Sequence, residues 1–394
     1  MKFSALMPRR LALVALTVSA LTLGAAATAR AQEVVNIGFT GPLSGGAALY
    51  GKNVTDGMQL AIDEINAKGL QVAGKPIKLN LVALDDKYSP AESAVNARRL
   101  VQQSKVAAVF VPHSGGVYAL QAFNQQGPSP FIVMAYSSTP KITETGNKLT
   151  VRIPPVITAY IEPFSRYEQK RFGKKVGLLP GNHEYGKTWT DLFKPAWTKL
   201  GGQIVADNPM SYNNSADFYS GVSRVLAAKP DVLFVGGASE PTGLVIKQSR
   251  ELGFKGGFLV MDQAKLDEIA KVAGGLTALE GSVGVLPITV DTSPNTRAFA
   301  AVYAKAYGAN RTPTTESSYN YAFVYVLANA MKLAGTTSDT KAIYAKIDEA
   351  IKTLPAQFNA GAFKGLDANG GVLSAPLSAV VEGGKIKPVN LGDL

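Results

Sequence analysis

Short apolar runs that end in glycine- or serine-rich turns, each followed by a stretch with helical spacing, recur along this chain. That alternation restricts the fold more than any other feature. In the first unit Val34 to Phe39 reads as a buried strand, 41–51 as a glycine-rich loop with one aromatic residue, and Asn53 to about Ala67 as a helix with Met58, Ala61, Ile62 and Ile65 on one face. Later units keep the order. Ile77–Leu84 leads to Ser89-Pro90-Ala91-Glu92, a capping box with Pro at the first helical position. Val106–Val111 leads to Pro112-His113-Ser114-Gly115-Gly116, and Phe131–Ala135 to Tyr136-Ser137-Ser138-Thr139-Pro140. Strands joined by helix-bearing crossovers make a parallel sheet covered on both faces, and its ligands sit beyond the carboxyl ends of the strands. The loops at 41–51, 112–116 and 136–139 therefore gather at one edge.

A second set follows a break at Ile153-Pro154-Pro155. Val176–Leu179 ends in Pro180-Gly181-Asn182-His183-Glu184-Tyr185-Gly186; Asp231–Val235 ends in Gly236-Gly237; Phe258–Met261 ends in Asp262. Ser215 reads as the cap of a helix reaching Ala228, and Gly253 as the glycine that closes another. The last hundred residues hold a strand at Gly281–Leu286, helices near 294–307, 316–334 and 339–353, and a hairpin around Glu382-Gly383-Gly384-Lys385. The expected architecture is α/β: two similar lobes, each a parallel sheet with helices on both faces, with a cleft between them.

The first 31 residues stand apart from this pattern. A basic start (Lys2, Arg9, Arg10), an apolar run from Leu11 to Ala27 and the small residues of Ala29-Arg30-Ala31 are the parts of a secretory signal peptide, with cleavage expected before Gln32. The chain is expected to be an exported, soluble protein. Cysteine is absent, and a chain long enough to bury two cores does not need disulfides. Of the formal charge of +11, four cations belong to the leader. The other Lys and Arg are scattered, without a basic run interleaved with aromatics, so nucleic acid is not an expected partner.

Several chemistries are weakly supported. Gly46-x-x-x-x-Gly51-Lys52 imitates a phosphate-binding loop, but Asn53 stands where a hydroxyl should hold magnesium. With two His, no Cys and no HExxH there is no convincing zinc set, and no Gly-x-Ser-x-Gly elbow occurs. No metal and no cofactor is expected. An exported hydrolase stays as a rival to be tested through Ser114. What remains is a set of polar strand-end residues. Ser114, Ser137, Ser138 and Thr139 offer hydroxyls and free amides suited to a carboxylate, Asp262 suits an ammonium, and Tyr50 and Tyr185 stand on opposite lobes. Singly, each also reads as a helix cap, a packing tyrosine or a strand-end cap.

Gly41-Pro42-Leu43-Ser44-Gly45-Gly46 with Tyr50-Gly51, then Gly57-Met58-Gln59-Leu60-Ala61-Ile62-Asp63-Glu64-Ile65-Asn66, resembles the start of the periplasmic leucine/isoleucine/valine-binding proteins. These are type I solute-binding subunits of ABC importers. The resemblance continues through Asp85-Asp86, Ser137-Ser138-Thr139-Pro140, Glu184-Tyr185-Gly186 and Glu251-Leu252-Gly253. It implies two Rossmann-like lobes joined by a hinge of three crossing strands, one of 32–154 plus 286–359 and the other of 155–285 plus 360–394. It implies a non-enzymatic monomer that closes on a small ligand, most simply an aliphatic or branched-chain amino acid, and hands it to an inner-membrane permease. An aromatic or other organic acid is the alternative. By the same resemblance Ser114, Gly115, Ser137 and Ser138 hold carboxylate and amine, Tyr50 and Tyr185 wall the cleft, and Asp262 takes the ammonium. Ala238 stands where relatives carry an aromatic residue, which would admit a bulkier ligand.

Overall fold

The computed structural model describes residue 1 and residues 32–394; the leader expected at 1–31, Met1 aside, lies outside the described residues. The chain forms two sheets. The first contains β1 (Glu33–Gly41), β2 (Leu70–Val72), β3 (Lys75–Asp85), β4 (Ala108–Val111), β5 (Ile132–Ala135) and β6 (Thr150–Arg152), in the order β2-β3-β1-β4-β5-β6. All its pairings are parallel except β2 with β3. The second contains β7 (Lys175–Pro180), β8 (Gln203–Asp207), β9 (Val232–Gly236), β10 (Gly257–Val260), β11 (Ser282–Val285), β12 (Ser378–Glu382) and β13 (Lys385–Val389), in the order β13-β12-β11-β10-β9-β7-β8. Only β12 and β13, the expected hairpin, run antiparallel to their neighbours.

The helices are α1 (Ala48–Lys68), α2 (Pro90–Gln103), α3 (Ser114–Gln121), α4 (Lys141–Glu144), α5 (Thr158–Arg171), α6 (Glu184–Lys199) and α7 (Tyr219–Leu226). They continue with α8 (Ser239–Glu251), α9 (Leu266–Ala273), α10 (Pro294–Tyr307), α11 (Thr315–Ala334), α12 (Thr340–Ala345) and α13 (Ile347–Lys352).

Both faces of each sheet are covered, which is why the strands read as unbroken apolar runs. Along β4, Ala108 and Phe110 face one core while Val109 and Val111 face another. Along β9, Leu233 and Val235 face one side and Val232 and Phe234 the other. Helices α1 and α11 lie on the same core of the first sheet and touch closely. A Cβ on Gly57 would sit 2.0 Å from the Ser317 carbonyl oxygen. The chain crosses between sheets near Pro154, near Leu286 and after Val372. Ala360, Phe363 and Val372 still pack in the first sheet's core, so the last crossing falls beyond the 359/360 boundary that the resemblance implied.

Three helices differ from expectation. Helix α1 starts at Ala48, not Asn53, so Gly51 is helical; a Cβ there would meet the Pro42 carbonyl oxygen at 1.7 Å. Helix α7 starts at Tyr219, because Asp217 rather than Ser215 accepts from its first amide. The helix expected over 339–353 is broken at Lys346 into α12 and α13.

Candidate functional site

Parallel registers bring the strand ends level: Gly41 of β1 pairs with Asp85 of β3, and Val111 of β4 with Ala135 of β5. The Asp85 carboxylate accepts from the Leu43 amide at 2.9 Å and the Ser44 hydroxyl at 2.6 Å. The protein's own acid thus occupies the glycine loop that imitates a phosphate cradle. The loop instead reaches the other lobe, where the Gly46 amide donates to the Asn213 carbonyl at 3.0 Å.

Further contacts hold the lobes face to face in a closed arrangement. Asn53 Nδ2 donates to Glu268 Oε1 at 2.9 Å. Tyr88 hydrogen-bonds the Gln263 amide, with Gln263 Nε2 donating to its hydroxyl at 3.1 Å. Lys265 Nζ lies 2.7 Å from Glu316 Oε1, with both side chains almost wholly buried. Neither Glu316 oxygen accepts a well-aligned hydrogen bond, so this pair is held by charge more than by direction. Burial, and then the charge of Glu316, push the Glu268 carboxyl up to about 7.

Between the lobes lies a small chamber. Ser137 and Ser138 line it from the first lobe; Tyr185, Asp262 and Lys265 line it from the second. The Ser137 and Ser138 amides donate to no backbone carbonyl among the described residues. Opposite them, Asp262 Oδ1 accepts from the Tyr185 hydroxyl at 2.6 Å and from Trp189 Nε1 at 2.8 Å. Burial, then the Asp262 charge, hold the Tyr185 phenol well above its usual range, so it stays a donor. Lys265 does not pair with the Asp262 carboxylate; it donates to the carbonyls of Asp262 at 2.7 Å and Gln263 at 2.9 Å. The cleft therefore offers an acid with neutral partners facing free amides, an arrangement that can hold a zwitterion.

Of the eight residues nominated from the sequence, Tyr50, Ser137, Ser138, Tyr185 and Asp262 line the chamber. Ser114, Gly115 and Ala238 are not among the residues that line it. Ser114 stands behind the wall, its Oγ 2.7 Å from that of Ser137, because it is already the first residue of α3. Gly115 packs against Pro90, where a Cβ would clash at 2.7 Å. Ala238 caps α8 and is buried in a core, so it does not enlarge the cleft. Tyr50 is not a free lid either: its hydroxyl donates to the Pro112 carbonyl at 2.8 Å.

Sequence reasoning missed Tyr88, Gln263, Lys265 and Glu316. Tyr88 follows the end of β3 with φ +63, a conformation rare outside glycine. Its ring stacks on His113 at 4.5 Å and leans on His183 of the other lobe at 4.9 Å. Each of those histidines caps a helix through Nδ1. His113 Nε2 lies 2.9 Å from Asp86 Oδ2 and 3.2 Å from the Ser93 hydroxyl, in a buried network that faces Tyr88. The position just after a strand end was the available signal for Tyr88.

Two α/β lobes, three crossings and a small polar chamber closed between them define a protein that clamps a solute. The chain belongs to the family described as periplasmic binding protein, whose sequence profile matches residues 34–380. It is a type I member of the leucine/isoleucine/valine-binding kind. An amino acid binding protein of Pseudomonas aeruginosa is 29% identical over 343 residues, covering 84% of this chain and 87% of its own length. The Leu/Ile/Val-binding protein BraC3 of Rhizobium johnstonii is 28% identical, covering 79% of this chain and 83% of its own. The crystal structure of the leucine-binding protein LivK from Thermotoga maritima superposes with a TM-score of 0.76 at 25% identity, covering 91% of this chain and 100% of that one.

Proposed function

We propose that this protein is the periplasmic receptor of an ABC importer and that its ligand is a small α-amino acid with an apolar side chain. The observation that carries the reading is the Asp262 carboxylate, which borders the chamber and meets only neutral donors, Tyr185 and Trp189. The ligand's ammonium lies against Asp262, and its carboxylate takes the Ser137 and Ser138 amides. The amino-acid and Leu/Ile/Val-binding relatives support the same class.

One lobe comprises 32–154 with 286 to about 372, the other 155–285 with the remaining C-terminal residues. Ligand binds the open form through the first lobe. Closure then adds Tyr185 and Asp262, and ligand shifts the population because it touches both lobes at once. An inner-membrane permease reads the closed monomer, and residues 1–31 direct export.

A thermal-shift screen of amino acids against aliphatic and aromatic acids lacking an amine tests the reading. Mass action raises the melting temperature with the right ligand. A response to the acids and none to the amino acids overturns it.

A further inference from the structure

Closure brings two acids into one buried cluster. Glu268 of α9, on the second lobe, and Glu316 of α11, on the first, are 8% and 1% exposed. Lys265 Nζ meets Glu316 Oε1 at 2.7 Å. Glu268 has neutral partners instead. Asn53 Nδ2 of the first lobe donates to its Oε1 at 2.9 Å, and the Ser239 hydroxyl of its own lobe donates to its Oε2 at 2.7 Å. The Lys265 amide donates to that same Ser239 oxygen at 3.0 Å, so both acids belong to one network.

The charged groups around this network are engaged elsewhere. Lys52 and Arg311 of the first lobe pair with Asp56. On α9 itself Lys271 hydrogen-bonds Thr312, and Asp267 accepts from the Thr289 hydroxyl at 2.6 Å. Tyr303 of α10 faces Glu268 as a neutral phenol, pushed up to about 12 by burial and then by the charge of Asp56. Two acids against one ammonium leave one excess negative charge in the closed interface, and burying it without a counter-charge is costly.

We propose that Glu268 and Glu316 form a proton-operated latch: the lobes close with uptake of one proton by this pair, so closure strengthens as pH falls. The inference goes beyond the reading above and does not depend on which ligand the cleft takes. Parting the lobes takes Asn53 and Glu316 away from Glu268 and admits water, so its carboxyl returns towards the ordinary value of about 4.3. In the closed form burial, and then the charge of Glu316, push it up to about 7. Between those values the closed form holds a proton that the open form has lost. The gain in closure is full below the open-form value and is lost as pH rises through the closed-form one. The proton comes from solvent, and both neutral partners suit either state. The Ser239 hydroxyl can accept as well as donate, and a turned Asn53 amide presents its oxygen.

Pulsed electron resonance on the ligand-free full chain tests the latch. The sequence has no cysteine, so spin labels on Glu92→Cys and Lys187→Cys, exposed positions of opposite lobes, report the distance between lobes and the populations of closed and open forms. Glu268→Gln keeps a hydrogen-bonding amide there and carries no charge at any pH. The closed-to-open ratio of the wild-type protein, divided by that of Glu268→Gln, is expected to be at least about tenfold higher at about pH 5.5 than at about pH 8. His183, which leans on Tyr88 across the cleft and pulls the other way in acid, is common to both proteins and cancels in the quotient. A quotient equal at the two pH values overturns the latch. Ser239→Ala removes a hydrogen bond that favours the ionised carboxylate, so it should move the pH dependence of closure upwards. Should Glu268→Gln not fold, an unmoved dependence in Ser239→Ala overturns the latch instead. The identity of the ligand is read separately, in the thermal-shift screen.

Discussion

Lys265 turns its ammonium to the backbone carbonyl of Asp262 at 2.7 Å and leaves that residue's carboxylate alone. Three residues apart on one loop, the pair would ordinarily neutralise each other. Glu316 of the opposite lobe takes the lysine charge instead. The half-buried Asp262 carboxylate thus pairs with no cationic side chain among the described residues, as the proposed ammonium contact requires.

Replacing Asp262 by Asn keeps an acceptor for Trp189 and Tyr185 and removes the charge. Amino-acid affinity is expected to fall by about 2–5 kcal/mol, the usual loss when one partner of a buried charge pair is removed. Titration calorimetry checks it, and circular dichroism should show the fold intact.

Glu316→Gln strands the Lys265 charge in the closed interface. Breaking a buried pair costs about 3–5 kcal/mol, and because this pair spans the lobes the cost falls on closure. Small-angle scattering should show a more open ligand-free protein, with weaker binding. The double variant Lys265→Met/Glu316→Leu should recover closure, since an apolar pair carries no desolvation cost.

His183 responds to acid. Burial, then the charge of His113, lower its pKa to about 4, and its Nε2 is enclosed without a partner. Above the ordinary histidine value of about 6.5 both folded and unfolded forms are neutral. As pH falls from there towards 4 the unfolded chain takes the proton first, so stability declines. Because the ring is only partly covered, the expected loss is about 1–3 kcal/mol, less than the full shift implies. His183→Asn keeps the cap on Gly186 and should flatten that decline in thermal melts between pH 7 and pH 4.

Gly57→Ala drives a methyl into the Ser317 carbonyl. Forcing α1 from α11 is expected to destabilise the protein by about 1–3 kcal/mol in urea unfolding.

The sheets were legible because strands covered on both faces carry no polar alternation, as in Val232 to Val235. The near wall of the cleft was legible for a related reason: Ser137, Ser138, Tyr185 and Asp262 all follow a strand's carboxyl end. Lys265 and Glu316 were not. They belong to different lobes, 51 positions apart on a chain whose pattern says nothing of which loop meets which helix once the lobes close. Ser114 and Gly115 show the same limit at short range, since sequence does not say whether a residue after a strand end lies in the loop or already in the helix.

The interleaving of the two lobes has a consequence for how this chain is assembled. Phe39 and Phe110, among the earliest core residues, share their core with Tyr321, Met331 and Phe363. An amino-terminal piece ending before α10 therefore covers that face of the first sheet with α1 but without α11, however well its strands pair. Native contacts that span so much of the chain are slow to form, because the entropy of closing the loop precedes any gain from the contact. The nascent protein can acquire its first domain only when nearly all of its length is at hand.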